Sequence, residues 1–278
     1  MIDNRKILDC IPFYQGNLLF ELRLKTLNHL VDKFVVCEAT KTHSGSKKDL
    51  CFDLNRFKKI TDKIEYIVVD DMPERSKLSN EKYPLYNYQI NMLSKGLSEA
   101  KENDLIIVSD EDEIPNPISI KNFNYNKYKF GIFMQKIFYY KLNIQNKSEA
   151  NGDMWPGSRI CLKKHLKKFS WFRALKMKNK YAPFWKFWKE KNIDLINNGG
   201  WHFTYLMSCE KIAEKIKSSE HSEFNNETFT NVEKIKNRVK KLIDPFDRGH
   251  ELQKVEVDNS FPNEIINNQD YYKEWIVK

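Results

Sequence analysis

Short unbroken apolar runs punctuate the first 110 residues, at 7–13, 34–37, 64–69 and 105–108. Such runs have the length of strands, and between them residues 18–30 and 86–100 repeat their apolar positions at helical spacing. A short basic helix near 55–59 precedes the third strand, and Gln15, Gly16 and Asn17 supply turn chemistry after the first. Strands alternating with helices predict successive β-α-β crossovers, and so an α/β fold with a mostly parallel central sheet.

The second half is less regular. An aromatic strand over 130–140 is followed by the loop NKSEANGDMWPGSR, a basic aromatic stretch ending at Trp188, the run NNGGWHFTYL and a helix over 209–217. Residues 231–278 combine a Lys-rich helix with Pro245, Pro262 and a closing aromatic segment, which predicts a main domain over 1–230 and a C-terminal extension over 231–278 packed on it. No repeat or low-complexity tract interrupts this order.

Hydrophobic residues make up 41% and charged residues 31% of the 278, a globular balance that excludes a chain disordered throughout. The net charge of +9 raises the question of a polyanion partner, but the lysines are distributed along the chain among many Asn and Ile, so no nucleic acid is expected. Five cysteines with no CxxC pair suggest neither a disulfide framework nor a zinc site. The N-terminus lacks an apolar leader core and no stretch reaches the roughly 20 apolar residues of a membrane span, so a soluble, cytoplasmic protein without an integral membrane segment is expected.

Candidate chemistry gathers where α/β sheets place it, outside the carboxyl ends of the strands. There the chain puts Glu38, Asp70, Asp71, Asp110 and Asp112. Asp110 and Asp112 flank Glu111 in the run SDEDEIP, so in an extended loop they point the same way and can hold one divalent cation through carboxylate oxygen. A cation so held bridges two phosphates and neutralises a diphosphate leaving group.

Six blocks in order, FELRLKTLNHLVDKFVVCEATKTHSG, IVVDDMP, LIIVSDEDEIPNP, FYYKLN, WPGSR and NGGWHFTYL, resemble glycosyltransferase family 17 over residues 7–225. That family includes the enzymes that add the bisecting N-acetylglucosamine to the core β-mannose of N-glycans. The resemblance implies a GT-A-type, Rossmann-like fold, a UDP-sugar donor with UDP-N-acetylglucosamine foremost, a glycan acceptor, Mn²⁺ or Mg²⁺, and inversion by one displacement. On it, Asp110 and Asp112 match the metal-binding acids, Glu38, Asp70 and Asp71 match donor-side acids, and His202 matches the late histidine that completes a metal shell.

Arg23, in the first helix beside Glu21, is then placed to pair with a phosphate. Family members show Gln-Arg-Asn where this chain has Gln89, Ile90 and Asn91, so that arginine's phosphate contact is missing or falls to Arg159 or Arg173. Glu210, just after Gly-Trp-His, is the preferred general base, with Asp153 and Glu223 behind it. The loop over 151–158 has the aromatic and glycine content of a sugar-facing segment, and Trp171, Phe172, Trp185, Phe187 and Trp188 among lysines read as amphipathic cover of the core or as an acceptor surface. Two alternatives stand beside this reading: a nucleotidyltransferase, and a basic nucleic-acid- or glycan-binding module, against which the acidic cluster argues because carboxylates repel phosphate.

Overall fold

A computed structural model describes residues 4–77, 82–148, 154–219 and 221–278. Its first half follows the apolar rhythm closely. Strands β1 (Ile7–Phe13), β2 (Lys33–Ala39), β3 (Ile64–Val69) and β4 (Leu105–Val108) lie parallel in the order β3-β2-β1-β4. Helix α1 (Asn17–Leu27) links β1 to β2, and α2 (Pro84–Met92) precedes β4. The helix expected over 86–100 is shorter because it tightens into a 3-10 segment, Leu93–Leu97, at Gly96. A Cβ on Gly96 would lie 2.4 Å from the Val35 side chain, so the turn is pressed onto β2 where only glycine fits.

The second half corrects the expectation of a mostly parallel sheet. Strand β5 (Glu113–Pro115) and helix α3 (Pro117–Lys121) follow β4, and then β6 (Phe130–Tyr139), β7 (Ile144–Asn146) and β8 (Met154–Leu162). Strand β8 inserts antiparallel between β4 and β6, so the sheet, closed at one edge by a late strand β11 (Leu252–Lys254), runs β11-β7-β6-β8-β4-β1-β2-β3 and is mixed. Part of the expected polar loop is therefore strand. Its Gly157 is fixed by contact, since a Cβ there would overlap the Gln135 amide that bonds Ser158.

After β8 come α4 (Phe169–Arg173), β9 (Ile193–Ile196), β10 (Gly200–Thr204), α5 (Cys209–Ser218), α6 (Glu227–Thr230), α7 (Val232–Lys240), β11 (Leu252–Lys254) and α8 (Asn263–Asn267). Strands β9 and β10 run parallel to β6, and β10 also pairs antiparallel with β5, which ties the Gly-Trp-His run to the end of the acidic run.

Alternation along β1 sends Leu8 and Cys10 into an apolar layer with α2 and α4, and Ile7, Ile11 and Phe13 into a second layer with α1. Phe261, Ile265 and Tyr272 of the C-terminal segment pack with Leu19 and Leu22 of α1, and β11 pairs with β7. All five cysteines are free thiols, and Cys51 is exposed.

The junction of β5 and β10 is sterically exacting. Gly200 has φ +123°, and a Cβ on it would lie 2.1 Å from the Ile114 carbonyl oxygen. Gly200→Ala is therefore expected to destabilise the fold by about 3 kcal/mol, read as a lowered denaturant midpoint at unchanged m.

Candidate active site

The four acids of residues 110–113 leave β4 as a turn whose backbone is gripped from below. Asp9 sits in the middle of β1, in the row of Ile7 and Ile11 that faces α1, and both it and Arg23 are wholly buried. One Arg23 nitrogen donates to both Asp9 oxygens, at 3.1 and 2.9 Å. The other donates to the Asp110 carbonyl at 3.0 Å and to that of Glu113.

The acidic side chains then diverge to distinct sets of partners, Glu113 and Asp110 sharing Arg173. Glu111 Oε2 accepts the backbone N–H groups of Tyr14, Gln15 and Gly16 at 2.8, 3.2 and 3.1 Å, placing a carboxylate at the start of α1, where the helix dipole favours it. Glu113 is buried and accepts from Trp155 Nε1 at 2.7 Å and from Arg173. Asp110 accepts the Tyr86 hydroxyl and an Arg173 N–H, each at 2.7 Å. Asp112 is 3.1 Å from Lys215 Nζ and 3.3 Å from His202 Nε2.

Burial works against ionising Asp110 and Asp112, but Arg173 beside the first, and Lys215 and then His202 beside the second, outweigh it and hold both carboxyls below the ordinary aspartate range. Burial pushes Glu111 upward. Lys215 is held well above its usual value, with Asp112 the leading cause against the cost of burial.

Asp110 and Asp112 open into one cleft of about 630 Å³. Its lining includes Tyr14, the contacting pair His43 and Tyr86, Trp155 against His202 beside Asp112, and Arg248 and His250 from the C-terminal segment. Gln89 spends both amide N–H bonds on the Phe13 and Cys37 carbonyls, so its oxygen accepts from His43 Nε2 at 2.7 Å. Burial holds His43 below its ordinary value and hence neutral. Asp244, buried at the end of the C-terminal helices, fixes the turn that delivers Arg248, whose guanidinium donates to the Tyr139 hydroxyl at 3.2 Å.

The fit of this cleft to a cation rests on its donor set. Two carboxylates and an imidazole are ligand types that Mn²⁺ or Mg²⁺ accepts, and buried His202 Nδ1 has no hydrogen-bond partner among the described residues. Among those residues no group of three His, Cys, Asp or Glu side chains is placed to hold a metal ion by itself, and the carboxylates of Asp110 and Asp112 are engaged by Arg173 and by Lys215 and His202.

The model of glycosyltransferase family 17 matches residues 2–123, from the strand that carries Asp9 through the acidic turn to the end of α3. Over this segment the chain is similar to glycosyltransferase family 17. No curated protein matches it.

Similar solved structures include glucosyl-3-phosphoglycerate synthase from Mycobacterium tuberculosis in complex with Mn²⁺, UDP-glucose and phosphoglyceric acid, at 11% identity over 95% of this chain and 91% of that one, TM-score 0.40. Another is 4-diphosphocytidyl-2C-methyl-D-erythritol synthase, at 14% identity over 58% and 77%, TM-score 0.33. A third is galactosyltransferase LgtC with donor and acceptor sugar analogues, at 12% identity over 67% and 72%, TM-score 0.30. These likenesses are loose, and the architecture rests on the chain's own strand order.

The transferase brings Asp110, Asp112 and His202 together, and it separates the remaining candidates from them. Arg23 faces Asp9 and main-chain carbonyls in the core and is closed to any phosphate. Glu38 is fully buried; it accepts from Lys48 Nζ, the Cys51 and Phe52 amides and the Tyr66 hydroxyl, so it shapes the 48–52 loop and does not face the cleft. Asp70 and Asp71 are exposed, Asp70 lining a separate shallow crevice with Lys41 and Lys47.

Glu210 points to solvent in the first turn of α5, 3.9 Å from Lys236 and away from the cleft, which removes it as a base. Glu223 pairs with His221 on the exposed rim. Asp153 lies outside the described residues. Of the two arginines considered for phosphate, Arg159 is spent on the carbonyls of Pro156, Ser158 and Leu175, whereas Arg173 reaches the cleft acids. Sequence reasoning missed Tyr86, Lys215, Arg248 and His250; the turn-rich run DPFDRGH was the one signal for the last two.

Two outcomes follow. Arg23→Gln leaves Asp9 buried without its counter-charge and is expected to cost about 3 to 5 kcal/mol in denaturant unfolding. The folded-state values of Asp110 and Asp112 lie below the ordinary 3.8, so the stability their pairs contribute is present above that value and is lost as pH falls through the lower folded one. Thermal unfolding followed downward from about pH 6 is expected to hold its contribution from these two pairs until below about pH 4, a fall that Asp112→Asn makes shallower.

Proposed function

We propose that this chain is a family 17 enzyme on a GT-A-type scaffold and moves N-acetylglucosamine or a related sugar from a UDP donor to a glycan acceptor with Mn²⁺ or Mg²⁺ and with inversion. The observation that carries the reading is the opening of Asp110 and Asp112 into one cleft, with His202 beside the second and two basic side chains, Arg173 and Lys215, pointing at them. Asp110, Asp112 and His202 are the residues that would hold the cation, and the cation would supply Lewis-acid neutralisation of the charge growing on the diphosphate.

The protein's own groups do the rest by position. Arg173 and Lys215 fix the two carboxylates and add positive charge where a departing diphosphate accumulates negative charge, in a partly buried site where such charge counts for more than in water. Tyr14 and Tyr86 give the donor side aromatic faces suited to a nucleobase, and the half-exposed Trp155 ring, 5.0 Å from His202, offers a face for a pyranose. Neutral His43, fixed by Gln89, contributes a hydrogen-bonding group of defined tautomer on that side.

A screen of UDP-sugars by UDP release, with and without EDTA, tests this. UDP-N-acetylglucosamine is expected to be turned over in an EDTA-sensitive way, and Asp112→Ala is expected to lower kcat about 100-fold or more. Calorimetry that detects no metal-dependent UDP binding would sink the donor assignment, and release of pyrophosphate in place of UDP would reassign the site to nucleotidyl transfer.

A further inference from the structure

The positive charge of this chain is concentrated. Residues 163–191 hold ten lysines and one arginine against a single acid, Glu190, a surplus of ten charges in a protein whose total is +9. The rest of the molecule is thus close to neutral. The arginine, Arg173, is engaged in the cleft, so the free surplus consists of lysine.

The same segment carries a group of aromatic side chains standing in solvent: Tyr181, Phe184, Trp185, Phe187 and Trp188 are 73%, 85%, 59%, 86% and 67% exposed. Amphipathic cover of the core, expected for Trp185, Phe187 and Trp188, is therefore not their role. Two successive turns, closed by Lys186 N–H on the Pro183 carbonyl and Lys189 N–H on that of Lys186, each 3.1 Å, hold the rings outward in edge-to-face pairs at 5.2 and 5.4 Å. The platform beneath is firm. Lys191 Nζ donates to the Phe184 carbonyl at 3.0 Å, and the Lys129 amide donates to Asn192 Oδ1 at 2.6 Å, next to β9 of the central sheet.

We infer that residues 176–191 dock the enzyme on the surface of a bilayer that contains anionic lipid. Protruding Trp and Phe rings enter the interfacial zone between headgroups and acyl chains, and lysines on flexible stems reach the headgroup phosphates while their stems cover apolar surface. Within 176–191 six lysines stand against Glu190, a surplus of five that gives electrostatic attraction rising with the anionic lipid content and screened by salt. A second copy is a poor occupant because two such faces repel. Nucleic acid is disfavoured by the absence of free arginine, the side chain suited to paired phosphate contacts, and by rings that stand proud of the surface.

Flotation of the full-length protein with vesicles of phosphatidylcholine, with and without phosphatidylserine, tests the assignment. Binding is expected only with phosphatidylserine present, is lost in high salt, and falls about tenfold or more in the variant Phe184→Ser, Trp185→Ser, Phe187→Ser, Trp188→Ser, whose thermal midpoint stays that of the parent. A second variant, Lys178→Gln, Lys186→Gln, Lys189→Gln, is expected to weaken binding while leaving the rings in place. Absence of binding to anionic vesicles overturns the inference. So does equal binding by the aromatic variant, or a tryptophan emission change with soluble oligosaccharide or single-stranded nucleic acid in a protein that ignores vesicles.

Discussion

Four consecutive acids can be held in a folded turn only if their side chains diverge to compensating partners, and the buried Arg23 fixes the backbone from which they diverge. Its ion pair with Asp9 anchors the guanidinium in the layer between β1 and α1, and its second terminal nitrogen takes the carbonyls at either end of the acidic run. With the backbone fixed from below, the four side chains diverge. Glu113 goes inward to Arg173 and the Trp155 indole, Glu111 goes back to the β1–α1 loop, and Asp110 and Asp112 go up into the cleft. Charge repulsion is relieved by geometry as much as by counter-ions.

The counter-ions come from far along the chain. Arg173 arrives on α4 and Lys215 on α5, beyond the 2–123 segment that matches the family model. The parallel half of the sheet supplies the acids and the mixed half supplies the cations, so the site exists only when both halves are assembled. Strand β8 is the physical joint: it pairs with β4 beside the acidic run and with β6, and it carries Trp155 to Glu113.

The parallel half was legible because its strands are short apolar runs separated by helical periodicity, and 7–13 and 64–69 coincide with β1 and β3. Strand β8 was not, because Pro156 and Gly157 read locally as a turn; only the Gln135 amide, distant in sequence, shows that the glycine is there for close packing. In the site, Asp110 and Asp112 both line the cleft, and His202 of the Gly-Trp-His run lies 3.3 Å from Asp112. A polar residue at a strand end has two fates, however, and sequence does not separate them: Glu38 turned inward to organise a loop, while Asp110 stayed at the cleft. Arg23 had the better signal, since an arginine on an apolar helix face opposite an aspartate in an apolar strand is the pattern of a buried pair.

Glu111 is the residue that a three-position acidic motif leaves unspecified, and here it has a task of its own. Its carboxylate ties the amides at 14–16, where Tyr14 lines the cleft, to the turn that presents Asp110 and Asp112. The Tyr14 loop and the cleft acids are consequently parts of one stiff body, already spaced before any ligand arrives. Any adaptation to ligands of different size must then come from the walls that are not so tied, above all the Arg248 turn contributed by the last forty residues of the chain.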